Sequence, residues 1–220
     1  MVRFLLTIIA STSLSAYAQP SGACKKLHAI HPDPMSFRRA FAPALITGAS
    51  VSNDFGGIKS PAKRVLEQFG ARYDQAAFPH EPSEKILELL SNLKGKRRYR
   101  TLIAIDLFFW DPEKGSAGSC EKGHVTQVIA SLRERSRQLV LARIPKLLAR
   151  GNKECMDLIN GELETACTPD AGCRLAPDIP LDGSAGGADT LLQSDHLHLS
   201  DAGSALGGES VCAALLRFSN

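Results

Sequence analysis

Short apolar runs alternate along this chain with stretches whose apolar residues recur every three or four positions, the signatures of strands and amphipathic helices. The run Ala44-Leu45-Ile46-Thr47, after Pro43 and closed by Gly48, predicts a buried strand. Ser60-Pro61 then opens a helix. Ser can cap it, Pro suits its first turn, Val65, Leu66 and Phe69 share a face, and Gly70 ends it. A strand over residues 72–78 leads into a second helix over 83–93, where Ile86, Leu87, Leu90 and Leu93 line one side and Gly95 stops the turn. The basic run 94–100 reads as a solvated connection, because it feeds Thr101-Leu102-Ile103-Ala104-Ile105, the best strand of the chain. After a loop over 111–123, the pattern predicts a helix over 125–138 and a strand over 139–144 ended by Pro145. Residues 168–189, rich in Pro, Gly and Asp, read as irregular, and a last helix covers 202–218.

Strands alternating with helices at this spacing predict an α/β fold, a three-layer α/β/α sandwich around a mainly parallel sheet. Such sheets place their chemistry in the loops beyond the carboxyl ends of the strands. That directs attention to the loops after Ile46, Ile105 and Ile144, and to the one before the last helix.

Composition adds bounds rather than a function. With 220 residues, 44% hydrophobic and 22% charged, the chain is neither disordered nor low-complexity. A net charge of +3 gives no footing for nucleic acid as a partner. The amino terminus is more telling. Arg3 precedes Phe4-Leu5-Leu6-Thr7-Ile8-Ile9-Ala10, and small residues lead to Ala16-Tyr17-Ala18. We read residues 1–18 as a secretory signal peptide cut after Ala18, and residues 19–220 as one domain without a transmembrane segment, exported to a periplasm or secreted. Export gives Cys24, Cys120, Cys155, Cys167, Cys173 and Cys212 a role as disulfides, which fifteen pairings could satisfy. Five of the six fall from Cys120 onward, so the bridges are expected to pin the long connections of the second half.

Two stretches could carry chemistry. Gly48-Ala49-Ser50-Val51-Ser52-Asn53-Asp54 follows the first strand, and Asp195-His196-Leu197-His198 precedes the last helix. A nucleophilic serine needs a base and a group that orients the base, and an Asp three residues before a His can supply both. Ser50 is therefore the candidate nucleophile, with Ser52 its rival, His198 the base and Asp195 the orienting carboxylate.

On these residues the chain resembles the SGNH, or GDSL-like, serine esterases and lipases. Gly48-Ala49-Ser50 corresponds to the Gly-Asp-Ser motif of that family with Ala for Asp, and Asp195-His196-Leu197-His198 to its C-terminal Asp-x-x-His. The resemblance implies cleavage of carboxylic esters through an acyl-enzyme on Ser50, without metal or organic cofactor, on a small-molecule, lipid or polysaccharide ester. It also implies oxyanion donors from a Gly after the second strand and an Asn after the third. Here His80 stands near the first position, and Asp106-Leu107-Phe108-Phe109-Trp110-Asp111 contains neither Gly nor Asn. The Ser50 N–H and Asn53 are the candidate donors, Phe108, Phe109 and Trp110 the candidate pocket wall, and Asp106 and Asp111 either plain strand-end residues or groups that order the site. Two alternatives stay open: a non-catalytic binding protein on the same fold, and a metal-dependent hydrolase using Asp195, His196 and His198.

Overall fold

A computed structural model describes residues 22–92, 98–148, 151–179, 181 and 188–219. The leader expected over residues 1–18 and most of the basic run 94–100 lie outside the described residues. Five strands form one parallel sheet: β1 (Ala44–Gly48), β2 (Tyr73–Ala77), β3 (Tyr99–Ala104), β4 (Ser136–Leu141) and β5 (Cys173–Leu175), in the spatial order β2-β1-β3-β4-β5. All four pairings are parallel. The strand order reverses between β1 and β3, and a sheet of this type opens a crevice at that switch point, beyond the strands' carboxyl ends.

The period of two along each strand sorts the side chains into two cores. Leu45, Leu102, Ala104, Leu139 and Leu141 face a cluster with α4 (Ser83–Asn92), α6 (His124–Arg133) and α7 (Lys153–Ala166). Their neighbours Ala44, Ile46, Ile103 and Val140 face the other way, onto α1 (Ala23–Ile30), α2 (Pro34–Phe41), α3 (Pro61–Gln68) and α9 (Asp201–Leu216). Two short helices, α5 (Asp111–Lys114) and α8 (Ala188–Leu191), lie in connections. The result is the three-layer sandwich predicted above. Local signals work as read: Ser60 Oγ accepts from Lys63 N–H at 3.2 Å, with Pro61 opening α3.

Three readings change. The helix predicted over 125–138 ends at Arg133, and β4 begins at Ser136 rather than 139. The polar start of β4 imitated a solvated helix face because β5 pairs only with Leu139, Val140 and Leu141, so Ser136 to Gln138 have a strand neighbour on one side alone. The irregular stretch 168–189 contains β5, a strand of three residues. α1, α2 and α7 had no counterpart in the sequence reading. Asp33 and Asn152 cap α2 and α7, each taking two backbone N–H groups at 2.9–3.2 Å.

The six cysteines form Cys24–Cys212, Cys120–Cys155 and Cys167–Cys173. The last two hold the second half, as expected. The first joins α1 to α9 across 188 residues, where the buried Glu209 of α9 also accepts from Cys24 N–H at 3.0 Å. Among the described residues no helix is long and apolar enough to cross a membrane.

Candidate active site

Gly48 ends β1 at φ 132°, a backbone state that L side chains rarely adopt, and a Cβ there would stand 2.2 Å from Asp106 Oδ1. The close approach has a purpose in the structure. Asp106, just past β3, holds the loop after β1: its Oδ2 accepts from Val51 N–H at 2.7 Å and Ser52 N–H at 3.2 Å, and its Oδ1 pairs with the Ser52 hydroxyl at 2.6 Å. Burial pushes the Asp106 carboxyl above its usual range, against these hydrogen bonds, which pull it down. Of the two roles left open for Asp106, the structure places it in the ordering one. Ser52, the rival nucleophile, is buried and bound to Asp106. Ser50 sits in the tightened turn, helical at φ −71°, and opens a 3-10 segment at Val51–Asn53.

The other half of the site is a turn before α9. Gln193 N–H donates to His198 O at 2.7 Å, Leu192 and Leu199 form an antiparallel bridge, and Ser200 caps α9 through Gly203 N–H at 3.1 Å. Asp195 Oδ1 accepts from the N–H groups of Leu197 and His198, both at 3.0 Å. Its Oδ2 lies 2.5 Å from His198 Nδ1. Burial would raise the Asp195 pKa, but the hydrogen bonds from His198 and Leu197 outweigh it and hold the group at about 2. An ionised carboxylate only accepts, so Nδ1 carries the proton and Nε2 is left with a lone pair. That nitrogen is 3.0 Å from Ser50 Oγ. Ser50 thus forms one continuous hydrogen-bonded chain with His198, 148 residues further on, and with Asp195, which lies 3 residues before that histidine.

Phe55, which the sequence reading did not single out, lies flat on the His198 ring, with centroids 3.6 Å apart and planes at 12°. Nothing in the local sequence marks it beyond an aromatic between Asp54 and Gly56. A cavity of about 710 Å³ opens beside the loop, with Ser50, Phe108 and Phe109 on its wall. Trp110 does not line it. It turns away against His80 and Phe109, with Lys114 over its ring, because Asp106 to Trp110 form consecutive turns rather than an extended wall. Asn53 is exposed and off the cavity wall, its N–H closing a turn onto Ser50 O at 3.1 Å. His80, where the resemblance implies Gly, adopts φ 67°, a left-handed position that favours Gly.

His196 and His198 do not share an environment: His196 is exposed at φ 53°, while His198 is buried between Ser50 and Phe55. Among the described residues no group of three or more His, Cys, Asp or Glu side chains could hold a metal ion. A second Ser, His, Asp cluster does occur. Ser83 Oγ and Asp111 Oδ2 both lie within 3.2 Å of His124 Nε2, and Ser83 Oγ is 2.6 Å from Asp111. Serine and carboxylate meet the same ring nitrogen, so no relay through the imidazole exists, and all three are buried. The cluster joins α4, α5 and α6, which gives Asp111 an ordering role away from the cavity.

No protein-family model matches the chain, and no curated protein does. Solved structures do match in fold. TesA superposes with a TM-score of 0.61 at 18% identity over 80% of this chain and 98% of its own. A protein from Slackia heliotrinireducens assigned as an SGNH hydrolase gives 0.54 at 18%, over 78% and 97%. The family 3 carbohydrate esterase of Clostridium thermocellum gives 0.59 at 13%, over 80% and 96%. The strand order, the switch-point crevice and these superpositions together establish that the chain has the SGNH-hydrolase fold.

Proposed function

We propose that this protein is an exported serine hydrolase of the SGNH type that cleaves carboxylic esters. The observation that carries the reading is the chain Ser50 Oγ to His198 Nε2 at 3.0 Å and His198 Nδ1 to Asp195 Oδ2 at 2.5 Å, on the wall of a cavity at the switch point. Ser50 Oγ attacks the ester carbonyl as its proton passes to Nε2. The tetrahedral intermediate collapses, the C–O bond to the leaving alcohol breaks, and Nε2 returns the proton to that alcohol. Water, deprotonated by the same nitrogen, then releases the acid from Ser50. Asp195 stays ionised throughout and stabilises the imidazolium. Val51 and Ser52 N–H are engaged by Asp106, so we assign the first oxyanion donor to the N–H of Ser50 itself.

Export fits the three disulfides, which persist in oxidising compartments, and residues 1–18 are the proposed leader. Two measurements test the catalytic assignment. Ser50→Ala should remove turnover of a p-nitrophenyl ester while leaving the circular dichroism spectrum intact. A fluorophosphonate should label the native protein at Ser50 and nowhere in the variant. Full activity of the variant would sink the assignment, and failure to label under conditions that label a known serine esterase would favour a non-catalytic binding protein.

A further inference from the structure

The cavity beside Ser50 is much larger than a small acyl group requires. At about 710 Å³ it could hold on the order of twenty water-sized groups. Its walls come from the segments that follow three successive strands: Ile105 to Phe109 after β3, Ala142 to Leu148 after β4, and Ala176 to Ile179 after β5. The space therefore runs across the carboxyl edge of the sheet, away from Ser50 beyond β1. Three strand spacings separate β1 from β5, roughly 14 Å, which is the extended reach of about eleven carbons. Phe108, Phe109, Ile144, Leu148, Ile179 and Leu181 supply an apolar stretch along this path, flanked by charged side chains of the same segments and of α7.

The charges on the same wall argue against an ionic occupant. Arg143 is already held by Asp178, at 2.7 and 3.1 Å, and by Glu164 at 2.5 Å. Lys146 faces Asp157, whose carboxyl it helps to hold below the usual range after the larger effect of Lys153. Two cations against four carboxylates, Asp106 included, leave no surplus positive charge for a phosphate or carboxylate headgroup.

We infer that this cavity is an acyl-chain site, and that the substrate is an uncharged ester of a medium to long acyl chain, of about eight to twelve carbons, rather than an acetyl ester. The inference rests on the esterase reading above and adds the substrate class. Each buried methylene contributes up to about fourfold to transition-state binding, so kcat/KM should climb with chain length until the cavity is full.

Gly161 offers a direct test. It lies on the wall within a stripe of α7 that also holds Asp157, Asn160 and Glu164, and a Cβ there meets nothing within 4 Å. Phenylalanine at this position would occupy the cavity, and it replaces a poor helix former. The experiment measures kcat/KM for p-nitrophenyl acetate, butyrate, octanoate and dodecanoate with the full protein, with Gly161→Phe, and with Leu148→Asp, which puts a charge on the wall that follows β4. The expected result for the native protein is a rise of at least a hundredfold from acetate to octanoate. Each variant should lose tenfold or more on octanoate and so lower the octanoate-to-acetate ratio. Acetate as the best substrate of the native protein would overturn the acyl-chain site while leaving the esterase reading intact, as would two variants with unchanged octanoate rates. Hydrolysis of no ester at any length, with Ser50 unlabelled by fluorophosphonate, would overturn the esterase reading itself and the acyl site with it.

Discussion

Asp106 ties the end of β3 to the loop that carries Ser50, and its removal should be costly in a way its size does not suggest. In Asp106→Ala three donors lose their acceptor: the N–H groups of Val51 and Ser52 and the hydroxyl of Ser52. Each buried donor left unsatisfied costs about 1–3 kcal/mol, so the variant should lose about 3–9 kcal/mol, a large share of the roughly 5–15 kcal/mol that stabilises a typical domain. Asp106→Asn behaves differently. Its amide oxygen can accept from both N–H groups while its NH2 donates to Ser52 Oγ, so each partner keeps a hydrogen bond, with the Ser52 hydroxyl now accepting, and a buried charge disappears. We expect it within about 1 kcal/mol of the native protein. Because burial raises the Asp106 pKa, the ionised native form is penalised as pH rises above the ordinary value of 3.8. The Asn variant escapes that penalty, so its stability relative to native should improve from pH 4 to pH 7. Urea unfolding followed by the fluorescence of Trp110, the sole tryptophan, measures all of this. In Asp106→Ala the freed loop should also lower kcat, on the order of a hundredfold for a displacement near 1 Å. An Asp106→Ala protein as stable as native, or an Asn variant that loses as much as Ala, would refute the reasoning.

Other consequences are equally direct. Gly48→Ala sets a Cβ 2.2 Å from Asp106 Oδ1 and 2.8 Å from Ser52 Oγ at a φ that alanine resists, so yield and melting temperature should fall sharply; an unperturbed melting curve would contradict the geometry. Replacing Cys24 and Cys212 by Ser frees a loop of 188 residues and should cost about 4–5 kcal/mol in chemical denaturation, against about 2 kcal/mol for Cys167 and Cys173, whose separation is 6; the reverse ranking would refute it. Asp195, held at about 2, stays ionised from pH 8 to pH 5, so its protonation should cost no activity across that interval, and an activity profile that follows a carboxylate titrating at its ordinary value would contradict the depressed pKa. The stability that Asp195 contributes is present above 3.8 and is lost as pH falls through about 2, which an acid unfolding titration can follow.

The parts of this molecule that a sequence displays most openly are those governed by period. β1 and β3 are short apolar runs, β1 closed by Gly48, and α3 and α9 open on serine caps, and their positions shift by only one or two residues between expectation and structure. β5 was invisible because three residues carry too little pattern, and the start of β4 because its one-sided pairing lets polar side chains in. That Ser50, His198 and Asp195 would meet was legible as a spaced motif. What surrounds them was not, since contacts such as Phe55 on His198 depend on how a loop folds over a distant turn. Trp110 illustrates the same limit in reverse: adjacency to Phe109 placed it in the pocket, whereas successive turns carry it off the cavity wall and onto His80.

The Cys24–Cys212 bond also determines what a protease could accomplish. A single backbone cut anywhere between the two cysteines leaves two pieces that this bond still joins. Ser50 would sit on one piece and His198 on the other for any cut between them, with α9 still docked on α1 and α3. A nicked protein of this kind runs as one band on a non-reducing gel and as two after reduction. The pieces that carry Ser50 and His198 stay joined for as long as the surroundings remain oxidising, so the bond makes the survival of a cleaved molecule depend on redox conditions rather than on an intact chain.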